Sequence, residues 1–198
     1  MTAASLRGRV DAVVIGTSAG GVEALSRILP ALPPALAVPI LIVIHLPRDR
    51  DSLLPQIFQP KCARPVCEAE DKEPIAPGTV YFAPPDYHLL VDAGPQLALS
   101  SDPLVNFSRP SIDVLFESAA DTFGERLAAV LLTGANHDGA AGLEAVHRAG
   151  GVTVVQDPAD AQVPVMVESA LRRTAADFVL TLTQIERLLE TLDVEKSA

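Results

Sequence analysis

The stretch Ala12-Val13-Val14-Ile15-Gly16-Thr17-Ser18-Ala19-Gly20-Gly21 reads as a buried strand that runs straight into a glycine-rich turn. Two more junctions of this kind follow. The apolar run Pro39-Ile40-Leu41-Ile42-Val43-Ile44 ends in His45. The run Leu127-Ala128-Ala129-Val130-Leu131-Leu132-Thr133 leads into a turn, Gly134–Asp138, that ends in Asp138. Near-continuous apolar runs mark strands covered on both faces, as in a parallel sheet. The carboxyl ends of such strands share one edge, where ligands bind. A hydroxyl, an imidazole and a carboxylate carried there by three strands are the parts of a serine hydrolase.

The alternation continues on either side. A helix is predicted around Val22–Leu29, punctuated by Pro30, Pro33 and Pro34. Ser111 can cap a helix running through Phe123, with Asp113 in its first turn favoured by the helix dipole. A helix from Gly139 to Ala149 ends at Gly150-Gly151, followed by a strand at Val152–Val155. A helix at Val165–Arg173, a strand at Phe178–Leu180 and a helix at Thr183–Leu192 complete the series. Between Pro47 and Ser101 the chain is richer in proline and charge, including Glu68-Ala69-Glu70-Asp71-Lys72-Glu73. Short strands at Thr79–Ala83, His88–Val91 and Gln96–Leu99 suggest a β-rich excursion. The expected fold is α/β: one domain over residues 1–198 (core about 11–192), three-layered and doubly wound. Its sheet is mainly parallel, with helices on both faces and a small β-hairpin excursion.

Composition narrows the function. The 198 residues are 48% hydrophobic but only 4% aromatic, with no tryptophan, so the core is expected to be mostly Val, Leu, Ile and Ala. A net charge of −10 and a pI near 4.7 argue against a nucleic-acid surface. The basic pairs are short or self-neutralised, as in Arg172-Arg173 and Arg48-Asp49-Arg50-Asp51. Cys62 and Cys67 have no histidine nearby and supply half of a zinc site at most, so plain thiols in a reducing cytoplasm are expected. The start, Met1 to Arg9, has no apolar signal core. The longest apolar stretch, Ala35–Ile44, is about half of a membrane span. No membrane insertion is expected.

The first turn does not fit its obvious competitors. A dinucleotide fingerprint needs G-x-G-x-x-G and an acidic residue about 20 positions on. Here the spacing is Gly16-x-x-x-Gly20-Gly21, and the second strand ends in His45. No Lys-Ser or Lys-Thr follows, so the phosphate loop fails too. What remains is Ser18 between Thr17 and Ala19 at the mouth of a helix, whose free N–H groups could meet a developing oxyanion. The order Ser, His, Asp differs from that of the nucleophile-elbow hydrolases. Each residue also has a plain structural reading. Ser18 could cap its helix, His45 could be a satisfied core histidine, and Asp138 could cap the helix that follows it. His147 reads as surface, His88 could approach the pocket rim, and His137, beside Asp138, rivals His45 for the imidazole role.

Taken together, the motifs resemble the catalytic domain of the CheB family of chemotaxis protein-glutamate methylesterases. The resemblance rests on Ile15–Gly21, Ile44-His45-Leu46-Pro47, Pro77-Gly78, Tyr81-Phe82-Ala83-Pro84, Arg109–Phe116 and Leu132-Thr133-Gly134 leading to Asp138–Gly142. It implies hydrolysis of glutamate γ-methyl esters on chemoreceptor cytoplasmic helices to glutamate and methanol, with deamidation of certain receptor glutamines. It assigns Ser18 as nucleophile, His45 as general base and Asp138 as the carboxylate orienting it. Thr17, Ala19, Gly20, Ala135 and Asn136 become candidates for the oxyanion site and pocket, with Ala135 supplying a backbone donor. No metal or organic cofactor is implied.

The chain also departs from the family pattern. The family's Gly-Met-Gly turn reads Gly134-Ala135-Asn136 here, its Phe-Gly-Met-Pro-like segment reads Val163-Pro164-Val165-Met166, and Ser108 stands where a histidine is common. The chain starts almost at its first strand, so the expectation is a catalytic domain without the family's N-terminal receiver. It would be constitutively active, regulated by a separate receiver in trans, or a shortened chain. The face carrying Arg109 is a candidate docking surface. Other readings are an esterase for a different methylated protein, a non-catalytic module of the same fold, and a nucleotide-binding protein, which the glycine spacing disfavours.

Overall fold

Apolar runs become strands and the amphipathic segments between them become helices. The strands are β1 (Ala12–Thr17), β2 (Ile40–Ile44), β3 (Val66–Glu68), β4 (Val80–Phe82), β5 (His88–Asp92), β6 (Gln96–Ser100), β7 (Leu127–Leu131), β8 (Val152–Gln156) and β9 (Phe178–Leu180). The helices are α1 (Gly21–Ala31), α2 (Leu54–Phe58), α3 (Ile112–Phe123), α4 (Ala140–Arg148), α5 (Val165–Arg173) and α6 (Leu182–Glu190). This computed structural model describes residues 8–46 and 52–192, so the first seven residues, Pro47 and the Arg48–Asp51 run lie outside the described residues.

Seven strands form one sheet in the order β3-β4-β2-β1-β7-β8-β9, with every pairing parallel. The chain builds outward from β1 on one side, then crosses back to β7 and builds on the other. The carboxyl edge between β1 and β7 is therefore a topological switch point. Both faces are covered. In β1, Val13 and Ile15 pack in the layer of α1 and α6, while Ala12 and Val14 pack in the layer of α3, α4 and α5. In α1 the buried Ala24, Leu25, Ile28 and Leu29 recur at helical spacing. Each fully buried Leu or Ile contributes roughly 1.5–3 kcal/mol.

Two expectations change, and one short strand is added. The Thr79–Ala83 segment is not part of the β excursion. As β4 it joins the main sheet between β2 and β3, and only β5 and β6 form the antiparallel hairpin. The three-residue β3 carries too short a pattern to read from sequence. Pro30 lies inside α1 rather than after it. It falls in the last turn on an exposed face, where the hydrogen bond it cannot make is small loss beside the burial of Ile28 and Leu29.

Candidate active site

Register brings the first two residues together. Thr17 of β1 pairs with Ile44 of β2, so Ser18 and His45 leave adjacent strands at the same level. The His45 N–H donates to the Thr17 carbonyl at 3.2 Å, and the Ser18 N–H donates to the Thr133 carbonyl at 3.0 Å. The second bond ties the end of β1 to the segment that leaves β7, and that segment carries Asn136 and Asp138 back over the edge. Gly20, with φ of +82°, makes the turn into α1 in the left-handed region that glycine enters without strain.

The imidazole of His45 stands between two side chains. Its Nε2 lies 2.8 Å from Asp138 Oδ2, and its Nδ1 lies 3.3 Å from Asn136 Nδ2. The Asn136 amide orientation follows from its other bond, because its Oδ1 accepts the Asp138 N–H at 3.2 Å. The amide nitrogen therefore faces His45 as a donor. In that arrangement the ring proton sits on Nε2, shared with Asp138, and Nδ1 carries the lone pair.

Asp138 is fully buried. Its Oδ2 also accepts the Ile112 N–H at 2.6 Å. Its Oδ1 accepts from the Ser111 hydroxyl at 2.8 Å, Asn106 Nδ2 at 3.0 Å and the Asp113 N–H at 3.2 Å. Burial alone would lift the Asp138 carboxyl. The hydrogen bonds from His45, Asn106 and the Ile112 N–H, with the attraction of His45, outweigh burial and hold it below the usual carboxylate value. It is ionised at neutral pH.

Ser18 and His45 line one cavity of about 230 Å³, together with Leu46, Phe107, Ser108, Arg109, Pro110 and Asn136. Ser18 is partly exposed, and its hydroxyl makes no hydrogen bond among the described residues. The N–H groups of Ala19, Gly20 and Ala135 likewise have no acceptor among the described residues. Thr17 is turned the other way. It is buried, and its hydroxyl donates to the Thr133 carbonyl at 2.9 Å, so it braces β1 against β7 and lines no part of the cavity. A larger cavity, about 490 Å³, opens at the opposite edge beside Val10, Pro39 and Arg126 and contains none of these groups.

The other histidines go elsewhere. His88 is buried, with Nδ1 accepting the Ser111 N–H at 3.1 Å and Nε2 at 3.1 Å from the Pro103 carbonyl, so it positions Ser111. His137 is exposed and lines a separate cavity with Arg172 and Arg173. His147 is exposed at the end of α4. Arg109 reaches Asp86 Oδ1 at 2.8 Å and the Ser101 and Asp102 carbonyls at 2.7 and 3.0 Å, so its guanidinium is engaged in bracing the cavity wall. Cys62 and Cys67 are free thiols, and burial, then the Glu73 and Glu70 charges, push Cys67 up to about 11.

Two expectations about caps are corrected. Asp138 does not cap α4, and Ser111, although it precedes α3, makes no side-chain cap bond to it. Its hydroxyl goes to Asp138 instead. Asn106 went unread, because nothing in its local sequence marks a residue that bonds to a carboxylate 32 positions away. Among the described residues no group of three or more His, Cys, Asp or Glu could hold a metal ion, and no helix is long and apolar enough to cross a membrane.

Known proteins resemble this chain over most of its length. The family model described as CheB methylesterase matches residues 13–189. A chain of Leptospira interrogans provisionally named protein-glutamate methylesterase/protein-glutamine glutaminase is 46% identical over 92% of this chain and 95% of its own. A protein-glutamate methylesterase/protein-glutamine glutaminase of Caulobacter vibrioides is 40% identical over 90% of this chain but 52% of its own length. The crystal structure of the Thermotoga maritima CheB methylesterase catalytic domain superposes with a TM-score of 0.87 at 34% identity, covering 92% of this chain and 99% of that one. The parallel α/β fold and these likenesses define a carboxylic ester hydrolase. The chain belongs to the CheB methylesterase family.

Proposed function

We propose that this protein hydrolyses γ-methyl esters of glutamate side chains on chemoreceptor cytoplasmic helices, releasing methanol, with Ser18, His45 and Asp138 as its catalytic triad. The observation that carries the reading is the buried Asp138 held 2.8 Å from His45, whose ring lines the cavity that also contains Ser18. His45 Nδ1 takes the Ser18 proton as Oγ bonds to the ester carbonyl carbon. The carbon–methoxy bond then breaks, and the same proton passes from His45 to the departing methoxide oxygen. Water adds to the glutamyl-enzyme, giving its proton to His45, and Ser18 leaves with that proton. The N–H groups of Ala19, Gly20 and Ala135, which have no acceptor among the described residues, are the candidate donors to the oxyanion.

The cavity supports a substrate presented by a macromolecule. At about 230 Å³ it admits a glutamyl ester side chain, whereas sites that enclose free small ligands run to about 300–1,000 Å³. Relatives named as glutaminases extend the reading to an amide, with ammonia leaving in place of methanol. The reaction is assigned to the cytoplasm, where such helices lie. Control by a separate receiver protein rests on the family resemblance alone and is tested by adding a phosphorylated receiver to the assay below.

The test is methanol release from a methylated chemoreceptor cytoplasmic fragment by wild type and Ser18→Ala. Release by wild type that is lost in the variant supports reaction and nucleophile together. If neither releases methanol while a fluorophosphonate probe labels Ser18, the substrate is another ester. Absence of both would leave a non-catalytic module of this fold.

A further inference from the structure

Phe107 is 95% exposed at the rim of the Ser18 cavity. It sits in a two-residue turn, Asn106-Phe107, closed by the Val105 N–H to the Ser108 carbonyl at 3.1 Å and the Ser108 N–H to the Val105 carbonyl at 2.8 Å. Both central residues have positive φ, +50° and +61°. This is the mirror-image turn whose second position is ordinarily glycine, because a side chain there is strained. A bulky aromatic in the left-handed region is an outlier. Folding alone would favour glycine at this site, and exposure of a whole aromatic ring adds a second cost.

The turn is not loose. Asn106 Nδ2 donates to Asp113 Oδ2 at 2.7 Å and to Asp138 Oδ1 at 3.0 Å. Arg109, two residues past Phe107, is fastened to Asp86 and to the Ser101 and Asp102 carbonyls. The turn that carries Phe107 is thus held at a fixed place relative to the carboxylate that holds His45.

We propose that Phe107 is a specificity residue that reads the protein surrounding the ester, packing on an apolar side chain of the methylated helix three or four residues from the esterified glutamate. The proposal rests on the reading of the substrate as a protein-borne glutamyl ester. A cavity that takes in only the side chain leaves the rest of the helix on the rim, and residues three or four apart lie on one helical face. Strain retained beside a reacting centre is the usual mark of a group kept for binding rather than for stability.

The experiment compares wild type, Phe107→Ala, Phe107→Gly and Phe107→Leu in two assays. One is demethylation of a methylated receptor cytoplasmic fragment. The other is the rate at which a small fluorophosphonate labels Ser18, which reports the triad without the protein partner. For Phe107→Ala and Phe107→Gly, kcat/KM on the fragment is expected to fall about ten-fold further than the labelling rate, mostly through KM. Phe107→Leu should recover most of the loss. Equal falls in the two assays, or a fragment kcat/KM within about two-fold of wild type, would overturn the proposal. If wild type is labelled at Ser18 but leaves the fragment methylated, the substrate reading itself fails, and the proposal with it.

Discussion

Asp113 and Asp138 exchange caps. Asp138, just before α4, accepts the Ile112 and Asp113 N–H groups at the start of α3, at 2.6 and 3.2 Å. Asp113, in the first turn of α3, accepts the Gly139 and Gly142 N–H groups at the start of α4, at 2.9 and 2.7 Å. Each carboxylate satisfies donors that its partner's helix leaves free. The exchange needs the two helices to touch. A Cβ on Gly142 would lie 2.6 Å from Phe116 Cβ and 3.0 Å from Asp113 Cα, and glycine leaves that room. One carboxylate therefore has both a stability role and the proposed catalytic one.

Asp138→Ala strands buried donors from Asn106, Ser111 and the first turn of α3. The expected destabilisation is about 3 kcal/mol or more, since each unpaired buried donor costs about 1–3 kcal/mol. Urea unfolding measures it. Because His45 loses its partner as well, methanol release should fall in parallel.

Ser18→Ala is the contrasting case. The hydroxyl makes no hydrogen bond among the described residues, so stability should stay within about 0.5 kcal/mol of wild type. Activity should drop by several orders of magnitude. Thermal unfolding alongside the methanol assay separates the two effects.

The pH dependence of stability should carry opposite signs at the two carboxylates. Asp138 is held below its unfolded value, so its contribution is present above about pH 4 and is lost as pH falls through its folded pKa. Asp113 is raised, chiefly by burial and further by the Asp138 charge, against the pull of its hydrogen bonds. The folded state therefore takes up that proton before the unfolded chain does, and stability from this site grows as pH falls toward about 4. Relative to Asp113→Asn, wild type should gain stability as pH falls toward about 4. Relative to Asp138→Asn, it should lose stability below about pH 4. Urea midpoints across that range test both signs.

Asn136 donates to the lone pair on His45 Nδ1 that the proposed mechanism needs for the Ser18 proton. A lone pair accepts one strong hydrogen bond at a time. Asn136→Gly should therefore speed labelling of Ser18 by a small fluorophosphonate several-fold, and a slower rate would mean that the amide chiefly aids catalysis. The ¹⁵N shift of His45 Nδ1 should move with the change.

Cys67 should resist alkylation. With its thiol pushed up to about 11 by burial and by Glu73 and Glu70, less than about one part in a thousand is thiolate at neutral pH. Iodoacetamide should modify it far more slowly than a free cysteine, and unfolding in urea should abolish the difference.

The sequence alone determined the parallel sheet and pointed to Ser18, His45 and Asp138 as candidate residues at its strand ends. β1, β2 and β7 announce themselves as apolar runs, because a strand covered on both faces has no polar side to alternate with. Ser18 and His45 follow from where the first two runs stop. What Asp138 does was decided by tertiary structure. It lies 93 residues from His45, and its nearest local task, capping α4, belongs to Asp113 instead. Asn136 on His45, Asn106 on Asp138 and His88 behind Ser111 are likewise pairings between segments far apart in the chain. Periodicity and turn chemistry are local and report which face a residue is on. Which polar groups meet across the carboxyl edge depends on how helices α3 and α4 dock, and the close contact at Gly142 fixes that.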